Sequence, residues 1–235
     1  GKMRDRVPFY ANGWFAGSKK PEDFAAKAKE TVARGVRALK WDPFGKAYLT
    51  MERKDLDEAL ECVARVREAV GPHVDLLIEG HGRFNVATAI TIARELESFK
   101  PMFFEEPVPP ENIDALAEVR AKSPVPIASG ERGYTKYAFK EILEKRAVDF
   151  IQPDVSHAGG IMELKKIAAM AEAYYIPFAP HNPSGPIAAA ATLQLAACVP
   201  NFYILEIMIH DVAWRKDVTD ESIDYEDGCI KIPDR

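Results

Sequence analysis

The chain has 235 residues and a formal net charge of -5; 47% of the residues are hydrophobic and 29% are charged. That length supports one sizeable hydrophobic core, as in single-domain α/β barrels. Acidic and basic residues are interspersed, so the charge pattern supports neither nucleic acid nor an anionic membrane surface as a partner.

The composition also bears on compartment and redox state. No apolar run reaches the roughly 20 residues that a membrane-spanning helix needs, and the N-terminal segment carries no signal-peptide core. Cys62, Cys198 and Cys229 are odd in number and widely separated, which favours reduced thiols over disulfides or a zinc site. We therefore expect a soluble, cytoplasmic protein that does not act at a membrane.

Short apolar runs alternate with amphipathic helical patterns along the chain. Strands are predicted at 7–11, 37–41, 75–79, 102–106, 126–131, 148–152, 177–179 and 202–205. Helices are predicted at 21–34, 51–70, 85–99, 112–122, 137–144, 161–174 and 187–197. This alternation predicts a parallel sheet, and eight strands are the number that closes a barrel.

The alternative is an open doubly wound sheet, which requires a glycine-rich phosphate turn after its first strand. Residues 12–17 occupy that position and do not form such a turn. The predicted fold is therefore of the α/β class, a TIM-like (β/α)7β barrel. The barrel domain is assigned to residues 1–210, and a polar, irregular tail to residues 211–235.

Three of the predicted strands end in a glutamate at constant spacing. Glu79, Glu105 and Glu131 are separated by 26 positions each, about one strand–helix unit. Parallel strands joined by right-handed crossovers point the same way, so the three carboxylates should meet at neighbouring strand ends. Carboxylates that close repel one another unless a cation compensates, and oxygen ligands alone suit Mg²⁺. The spacing predicts a Mg²⁺ site.

Other strand ends also carry polar side chains, and the active site of such a barrel lies at this C-terminal face. His81 follows Glu79 by two positions, so strand alternation points it toward the same site. Asp154 and His181 end neighbouring strands; a carboxylate at one imidazole nitrogen orients the ring and leaves the other nitrogen for proton transfer. The strand-end candidates are Asn12, Lys40, Asp42, Glu79, His81, Glu105, Glu131, Asp154, His181 and Glu206.

Three further assignments are less direct. Lys40 could form a Schiff base, but its anionic neighbours would raise the pKa of its amine, which favours an electrostatic or structural role. His157 is followed by Ala158 and two glycines and is a candidate for lining the site. His210 lies just past the eighth strand, where substrate contact and simple exposure both remain open.

Five motifs occur in order at these strand ends. They are Ile78-Glu-Gly-His81-Gly-Arg-Phe84, Phe104-Glu-Glu-Pro107, Ala128-Ser-Gly-Glu131-Arg132, Gln152-Pro-Asp154 with Gly159-Gly160, and Pro180-His-Asn-Pro-Ser-Gly-Pro186. Together they resemble the enolase superfamily, in its mandelate racemase and muconate lactonizing enzyme branch, and there the sugar-acid dehydratases such as galactonate dehydratase. The resemblance covers essentially the whole chain.

The resemblance implies a hydro-lyase that dehydrates an aldonate or aldarate. The three glutamates would hold Mg²⁺, which binds the substrate carboxylate and stabilises the enediolate formed on loss of the α-proton. His181, oriented by Asp154, would be the general base, His81 would protonate the departing β-hydroxyl, and Glu206 would hydrogen-bond the substrate or the developing oxyanion. The product would be a 2-keto-3-deoxy sugar acid. Substrate contacts are expected from Asn12, Trp14, Lys40, Asp42, Arg132, His157, Pro183 and His210.

Three features depart from the family pattern. The first metal ligand is usually Asp, and Glu79 carries one more methylene group. Racemase and cycloisomerase branches carry Lys-x-Lys at the second strand, whereas this chain has Lys40-Trp41-Asp42, which argues against a lysine base and for dehydration. Family members begin with an α+β capping domain over the barrel mouth; this chain starts at strand one, so we expect that domain to be absent. It would then be a fragment, or a barrel whose lid comes from another chain.

Two other functions remain as alternatives. With His81 and His181 on opposite sides, the site could run a 1,1-proton transfer, as a racemase or epimerase of a 2-hydroxy acid. A barrel without its cap could instead bind metal and ligand without turnover, because water enters an uncovered site. The sequence leaves the sugar acid open, and the resemblance implies a symmetric homo-oligomer that takes a small-molecule carboxylate as its substrate.

Overall fold

The computed structural model describes residues 1–209, 212, 214–219 and 223–232. The strands are β1 (Arg6–Asn12), β2 (Ala38–Trp41), β3 (Asp75–Glu79), β4 (Phe103–Glu105), β5 (Ile127–Ser129), β6 (Phe150–Ile151), β7 (Leu205–Met208), β8 (Tyr225–Glu226) and β9 (Cys229–Lys231). The helices are α1 (Pro21–Ala33), α2 (Arg53–Val70), α3 (Val86–Leu96), α4 (Ile113–Lys122), α5 (Thr135–Glu144), α6 (Ile161–Ala173) and α7 (Pro186–Ala196). None of the helices that the structure describes is long and apolar enough to cross a membrane.

Helix boundaries follow from local sequence signals. Asn85 and Asn112 precede α3 and α4, and their side-chain oxygens accept hydrogen bonds from the N–H groups of Thr88 (2.9 Å) and Ala115 (3.1 Å). Such N-caps satisfy donors that the first helical turn leaves free. α2 ends at Val70, and the next residue, Gly71, caps the helix with a φ of 77°, a positive value that glycine adopts without steric cost.

The strands form a closed parallel barrel. β1 to β6 pair in chain order, and β7 pairs with β1. Between β6 and β7 the barrel is bridged by Phe178, which pairs with Ile151 on one side and Phe202 on the other. The seventh strand predicted at 177–179 is thus reduced to a single bridge, because Pro177 and Pro180 flank it and lack the N–H group that a longer ladder needs.

Strand alternation divides the apolar side chains between two cores. The inner core contains Tyr10, Ala38, Leu77, Phe103, Ala128, Ala179 and Ile204. Their neighbours along the strands, such as Phe9, Leu76 and Ile78, belong to the larger core between the barrel and its helices. The barrel interior is therefore packed with side chains rather than open, and its polar strand ends form the floor of a site.

The C-terminal tail differs from the prediction. The sequence predicts an irregular tail at 211–235, but β8 and β9 form an antiparallel hairpin, and β9 pairs with β1. Asp227 and Gly228 form its turn with φ values of 49° and 70°, as a two-residue Asp-Gly hairpin loop requires. Ile230 and Ile232 are buried. The Asp-Gly pair and these isoleucines are the sequence signals for the hairpin. The polar residues around them make the strand pattern difficult to recognise.

Gly130 lies in the turn between β5 and Glu131. Its φ is 139°, and a Cβ atom there would lie 2.9 Å from Cε1 of Phe139 and 3.1 Å from the backbone nitrogen of Gln152. We expect Gly130→Ala to lower the free energy of unfolding by about 1–3 kcal/mol, because this packed backbone cannot yield without strain. Chemical denaturation measures the change. Gly185→Ala is the control, since nothing lies within 4 Å of a Cβ atom there; equal losses in both variants would contradict the steric explanation.

Candidate active site

The three glutamates predicted to bind metal lie together at the ends of neighbouring strands. β3 and β4 pair with Glu79 opposite Glu105, and Glu131 follows the end of β5 by two residues. One carboxylate oxygen from each lies within 4.8 Å of the others. Glu79 and Glu105 are buried and Glu131 is half-buried, so the oxygen cluster has its accessible side at Glu131.

This cluster has the properties of a cation site. Burial, and then the charge of Glu105, raise the pKa of Glu79 well above its usual value. Oε2 of Glu105 is buried and has no hydrogen-bond partner among the described residues. A divalent cation would relieve both conditions, and a set of oxygen ligands suits a hard ion. The residues therefore fit such a metal, and the extra methylene group of Glu79 does not take its carboxylate out of the cluster.

Lys40 lies against the cluster and balances part of its charge. Its ammonium nitrogen lies 2.7 Å from Oε1 of Glu105, 2.9 Å from Oε1 of Glu206 and 3.3 Å from Oε2 of Glu79. Burial lowers the pKa of Lys40, but the charges of Glu105 and Glu206 outweigh burial and raise it well above its ordinary value. Because the side chain is buried, the structure favours the electrostatic role over the predicted substrate contact.

Asp154 and His181 form a hydrogen-bonded pair beside the glutamates, as their strand order predicts. Nδ1 of His181 lies 2.8 Å from Oδ2 of Asp154, while Nε2 lies 3.2 Å from Oε2 of Glu131. The other oxygen of Asp154 accepts hydrogen bonds from the backbone N–H groups of Ser156 (2.6 Å) and His157 (3.2 Å). The carboxylate is thereby held in one orientation, and Nε2 is the imidazole nitrogen that faces the cluster.

The electrostatics of this pair favour a protonated imidazole. Burial lowers the pKa of His181, but the hydrogen bond to Asp154 and the charges of Glu206 and Glu131 raise it to about 9. Burial raises the pKa of Asp154, but the hydrogen bond with His181, the charge of His181 and the hydrogen bond from the N–H group of Ser156 together outweigh burial and hold the pKa below its usual value. Charge from a divalent cation on the glutamates would oppose this effect and leave Nε2 free to accept a proton. The imidazolium formed by that step is then stabilised by Asp154.

Glu206 is a fully buried anion with a partner on each oxygen. Oε1 accepts a hydrogen bond from Nδ2 of Asn12 at 2.8 Å, and Oε2 accepts one from the N–H group of Asn182 at 3.0 Å. Burial raises the pKa of Glu206, but the charges of Lys40 and His181 outweigh it and lower the pKa to about 2. Asn12, predicted as a substrate contact, therefore directs its amide nitrogen to this carboxylate.

His81 lies beyond the end of β3, with a second aspartate beside it. Nδ1 of His81 is 2.6 Å from Oδ2 of Asp42, and its backbone N–H group donates to Oε1 of Glu79 at 2.7 Å. Nη2 of Arg83 contacts the two oxygens of Asp42 at 2.8 and 2.6 Å. Asp42, predicted to contact substrate, is instead occupied by His81 and Arg83.

Comparison with known proteins identifies relatives of this chain. A family model described as "Enolase C-terminal domain-like" matches residues 23–235. The chain belongs to this family. It is 42% identical to the D-gluconate dehydratase of Thermoproteus tenax in an alignment of 235 positions that covers 99% of this chain and 47% of that protein. It is 36% identical to the D-gluconate/D-galactonate dehydratase of Picrophilus torridus over 206 residues, 88% of this chain and 53% of that protein.

Solved structures agree with the sequence comparison. The chain is similar to a mandelate racemase/muconate lactonizing enzyme-like protein from Roseovarius sp. TM1035, with a TM-score of 0.93 and 36% identity. That match covers 99% of this chain and 61% of the other. The chain spans about half the length of the curated relatives it matches. The resemblance to the enolase superfamily and the predicted barrel are confirmed.

The side chain of Trp14, for which the sequence predicts a substrate contact, is buried in this enolase-family barrel. Its side chain is 3% exposed, and Nε1 donates to the backbone carbonyl of Lys40 at 2.9 Å. Its ring packs edge-on against Trp41 with the centroids 5.5 Å apart. The loop after β1 turns the indole back into the core, where its apolar surface is buried, so in this structure Trp14 takes part in core packing.

Two buried polar residues that the sequence analysis does not single out complete the site. Glu106, at φ 43°, pairs through Oε2 with Arg132 at 2.6 Å, and Arg132 also donates to the carbonyl of His81 at 2.8 Å. Arg132, predicted to contact substrate, therefore ties two strand-end loops together. Asn182 holds Glu206 as described above. Both missed residues directly follow a strand-end residue, which is the sequence signal that could have found them.

Two further candidates for substrate contact, His157 and Pro183, lie in the loops that follow the strands. His157 is exposed, and its ring centroid is 6.2 Å from that of His181. Pro183 is half-buried and follows His181 by two residues. His210 lies outside the described residues. The ring of His157 thus lies close to the imidazole that faces the cluster.

Proposed function

We propose that this protein is a Mg²⁺-dependent dehydratase of a sugar acid, an aldonate or aldarate. The observation that carries the proposal is the Asp154–His181 pair, whose Nε2 atom faces the three-glutamate cluster. Relatives named D-gluconate dehydratase and D-gluconate/D-galactonate dehydratase support a sugar acid as the substrate.

The side chains of this site divide the reaction between two imidazoles. When bound by the three glutamates, Mg²⁺ supplies positive charge for the substrate carboxylate and for the negative charge that develops beside it. His181 takes the α-proton at Nε2, and Asp154 stabilises the imidazolium. The C–H electron pair is held first on the substrate as an enediolate, and in a second step it forms the carbon–carbon double bond as the β C–O bond breaks. The oxygen leaves with that bond's electron pair and takes a proton from His81, so water departs and the enol tautomerises to a 2-keto-3-deoxy acid.

A racemase or epimerase is the second candidate. The two histidines are each bonded to an aspartate through Nδ1. His181 contacts Glu131 through Nε2, and His81 contacts Glu79 through its backbone N–H group. A pair of that kind can remove an α-proton on one face of a carbon atom and return one on the other. Such an enzyme would exchange the α-proton with solvent and form no keto acid.

The test is a screen of aldonic and aldaric acids with Mg²⁺, in which semicarbazide detects 2-keto acids. We expect a keto acid from at least one substrate, because the base and the metal ligands lie together. The signal should disappear when EDTA removes the metal and return when Mg²⁺ is restored. Calorimetry of Mg²⁺ binding is run alongside, and no binding would contradict the metal site.

The remaining outcomes of the screen separate the alternatives. Exchange of the α-proton in D₂O without keto-acid formation would establish the racemase or epimerase. Mg²⁺ binding without either reaction would identify a barrel that binds without turnover. If activity then appears when a capping chain is added, that chain supplies contacts that turnover requires.

A further inference from the structure

We propose that Asp42 is a positioning residue that orients His81, and that Arg83 holds Asp42 in place for this purpose. The inference rests on the dehydratase function proposed above, in which His81 gives a proton to the leaving hydroxyl. It changes the role of Asp42 from a substrate contact to a partner of the second imidazole. The site then contains two aspartate–histidine pairs, one for each proton transfer.

The carboxylate of Asp42 is held by donors on both of its oxygens. Oδ1 accepts hydrogen bonds from the backbone N–H group of Phe44 at 2.9 Å and from Arg83 at 2.8 Å. Oδ2 lies 2.6 Å from Arg83 and 2.6 Å from Nδ1 of His81. With both oxygens occupied and the side chain only 15% exposed, Asp42 is poorly placed to bind a substrate.

Arg83 is itself fixed, so it can hold Asp42 rigidly. Its Nε donates to the carbonyl of Gly80 at 3.0 Å, and its Nη1 donates to the carbonyl of Gly45 at 2.6 Å. These two carbonyls belong to the loops after β3 and β2. The arginine therefore joins the loop that carries Asp42 to the loop that carries His81, and a planar guanidinium fixes both partners at once.

The backbone of His81 is also constrained. Its φ is 50°, a left-handed conformation that is strained for a non-glycine residue and persists only where its surroundings impose it. Its N–H group donates to Glu79 at 2.7 Å, and its carbonyl accepts from Arg132 at 2.8 Å. With the backbone held on both sides and Nδ1 held by Asp42, the free nitrogen of the ring is Nε2.

The two imidazoles of the site are thus oriented through the same ring atom. Asp154 holds Nδ1 of His181 at 2.8 Å, and Asp42 holds Nδ1 of His81 at 2.6 Å. In each aspartate the second oxygen accepts a hydrogen bond from a backbone N–H group. This hydrogen bond prevents the carboxylate from rotating.

In the variant Asp42→Asn we expect the proton on the imidazole ring of His81 to move from one nitrogen to the other. Arg83 donates to both oxygens of Asp42, so the other two partners decide which way the amide of the variant turns. The backbone N–H group of Phe44 at Oδ1 can only donate, whereas the imidazole at Oδ2 can change to accepting, so the amide NH₂ group faces Nδ1. Nδ1 must then accept a hydrogen bond, and the ring proton moves to Nε2. If that ring gave its Nε2 proton to a leaving group, it would become an imidazolate anion, so elimination should fail.

The first measurement follows the ring directly, without turnover. Long-range ¹H–¹⁵N correlation spectra of the full chain are recorded at one fixed pH, with His81→Asn to assign the signal. We expect Nδ1 of His81 to carry a proton in the wild type and to lose it in Asp42→Asn. Asp149→Asn is the control, because Asp149 also pairs with an arginine and a backbone N–H group, at Ile127. Unchanged His81 signals in Asp42→Asn would overturn the inference.

The second measurement separates positioning from a structural role, with Mg²⁺ and D-gluconate as the probe. Asp42→Asn should lower keto-acid formation by about 100-fold or more, while α-proton exchange in D₂O at His181 stays within about 3-fold of wild type. 3-Deoxy-3-fluoro-D-gluconate should restore elimination, because fluoride leaves without a proton. Equal losses in exchange and elimination would overturn the inference. A wild type that neither exchanges nor eliminates would count against the dehydratase, while the ¹⁵N spectra still decide the role of Asp42.

Discussion

His181→Asn is expected to lower the rate of keto-acid formation by about 10⁴-fold, the upper end of what a positioned general base contributes. Nε2 of His181 faces the glutamate cluster at 3.2 Å from Glu131, and an asparagine there offers no nitrogen that accepts a proton. The α-proton exchange in D₂O should be lost to the same extent, because the variant removes the first step rather than the second. The semicarbazide assay and ¹H NMR of the substrate measure the two rates.

Three comparisons sharpen this prediction. Asp154→Asn should show a similar loss, because Ser156 and His157 keep the amide oxygen at the Oδ1 position and turn the NH₂ group toward the imidazole. His73→Asn, at an exposed residue in the loop before β3, should behave as wild type. Mg²⁺ binding by calorimetry should persist in His181→Asn. Wild-type exchange in His181→Asn would exclude His181 as the base.

The barrel could be predicted from the sequence because each of its units is local. A strand, a helix and the turns between them lie within about one unit of chain, and periodicity reports on them directly. Phe178 shows where this information ends, since its single bridge depends on Ile151 and Phe202 in other units. The β8–β9 hairpin likewise depends on pairing with β1 across most of the chain. Periodicity indicates whether a segment is a strand or a helix, but it does not indicate which distant strand that segment pairs with.

The site divides in the same way. The three glutamates could be predicted from their spacing, and the neighbourhood of Asp154 and His181 from strand order. The hydrogen-bond partners of residues in the loops beyond the strand ends could not be predicted, because they depend on how each loop turns. Asp42 reaches His81 across 39 positions, and Trp14 turns from its loop into the core. Strand order thus places residues at the same rim of the barrel without specifying which of them face the substrate.

Lys40→Met is expected to lower the free energy of unfolding by about 3–5 kcal/mol, because it leaves buried carboxylates without their counterion. The ammonium of Lys40 contacts the carboxylates of three glutamates, at positions 79, 105 and 206, within 3.3 Å. Methionine keeps most of the side-chain volume and removes only the charge. Urea denaturation in EDTA measures the change. Lys140→Met is the control, because Lys140 pairs at 3.6 Å with Glu144 on the exposed side of α5, and exposed pairs contribute little.

The same variant should bind Mg²⁺ more tightly than wild type, because the ammonium and the metal share the carboxylates of Glu79 and Glu105. A ligand that binds only the folded state stabilises it by RT ln(1 + [L]/Kd), so tighter binding gives more stabilisation at the same ligand concentration. The deficit of Lys40→Met should therefore shrink as Mg²⁺ concentration rises. Equal stabilisation of the two proteins by Mg²⁺ would mean that lysine and metal act independently, and an unchanged unfolding free energy in EDTA would contradict the role of Lys40. A deficit that Mg²⁺ removes would instead show that the lysine is a partial counterion for acids whose full compensation requires the metal.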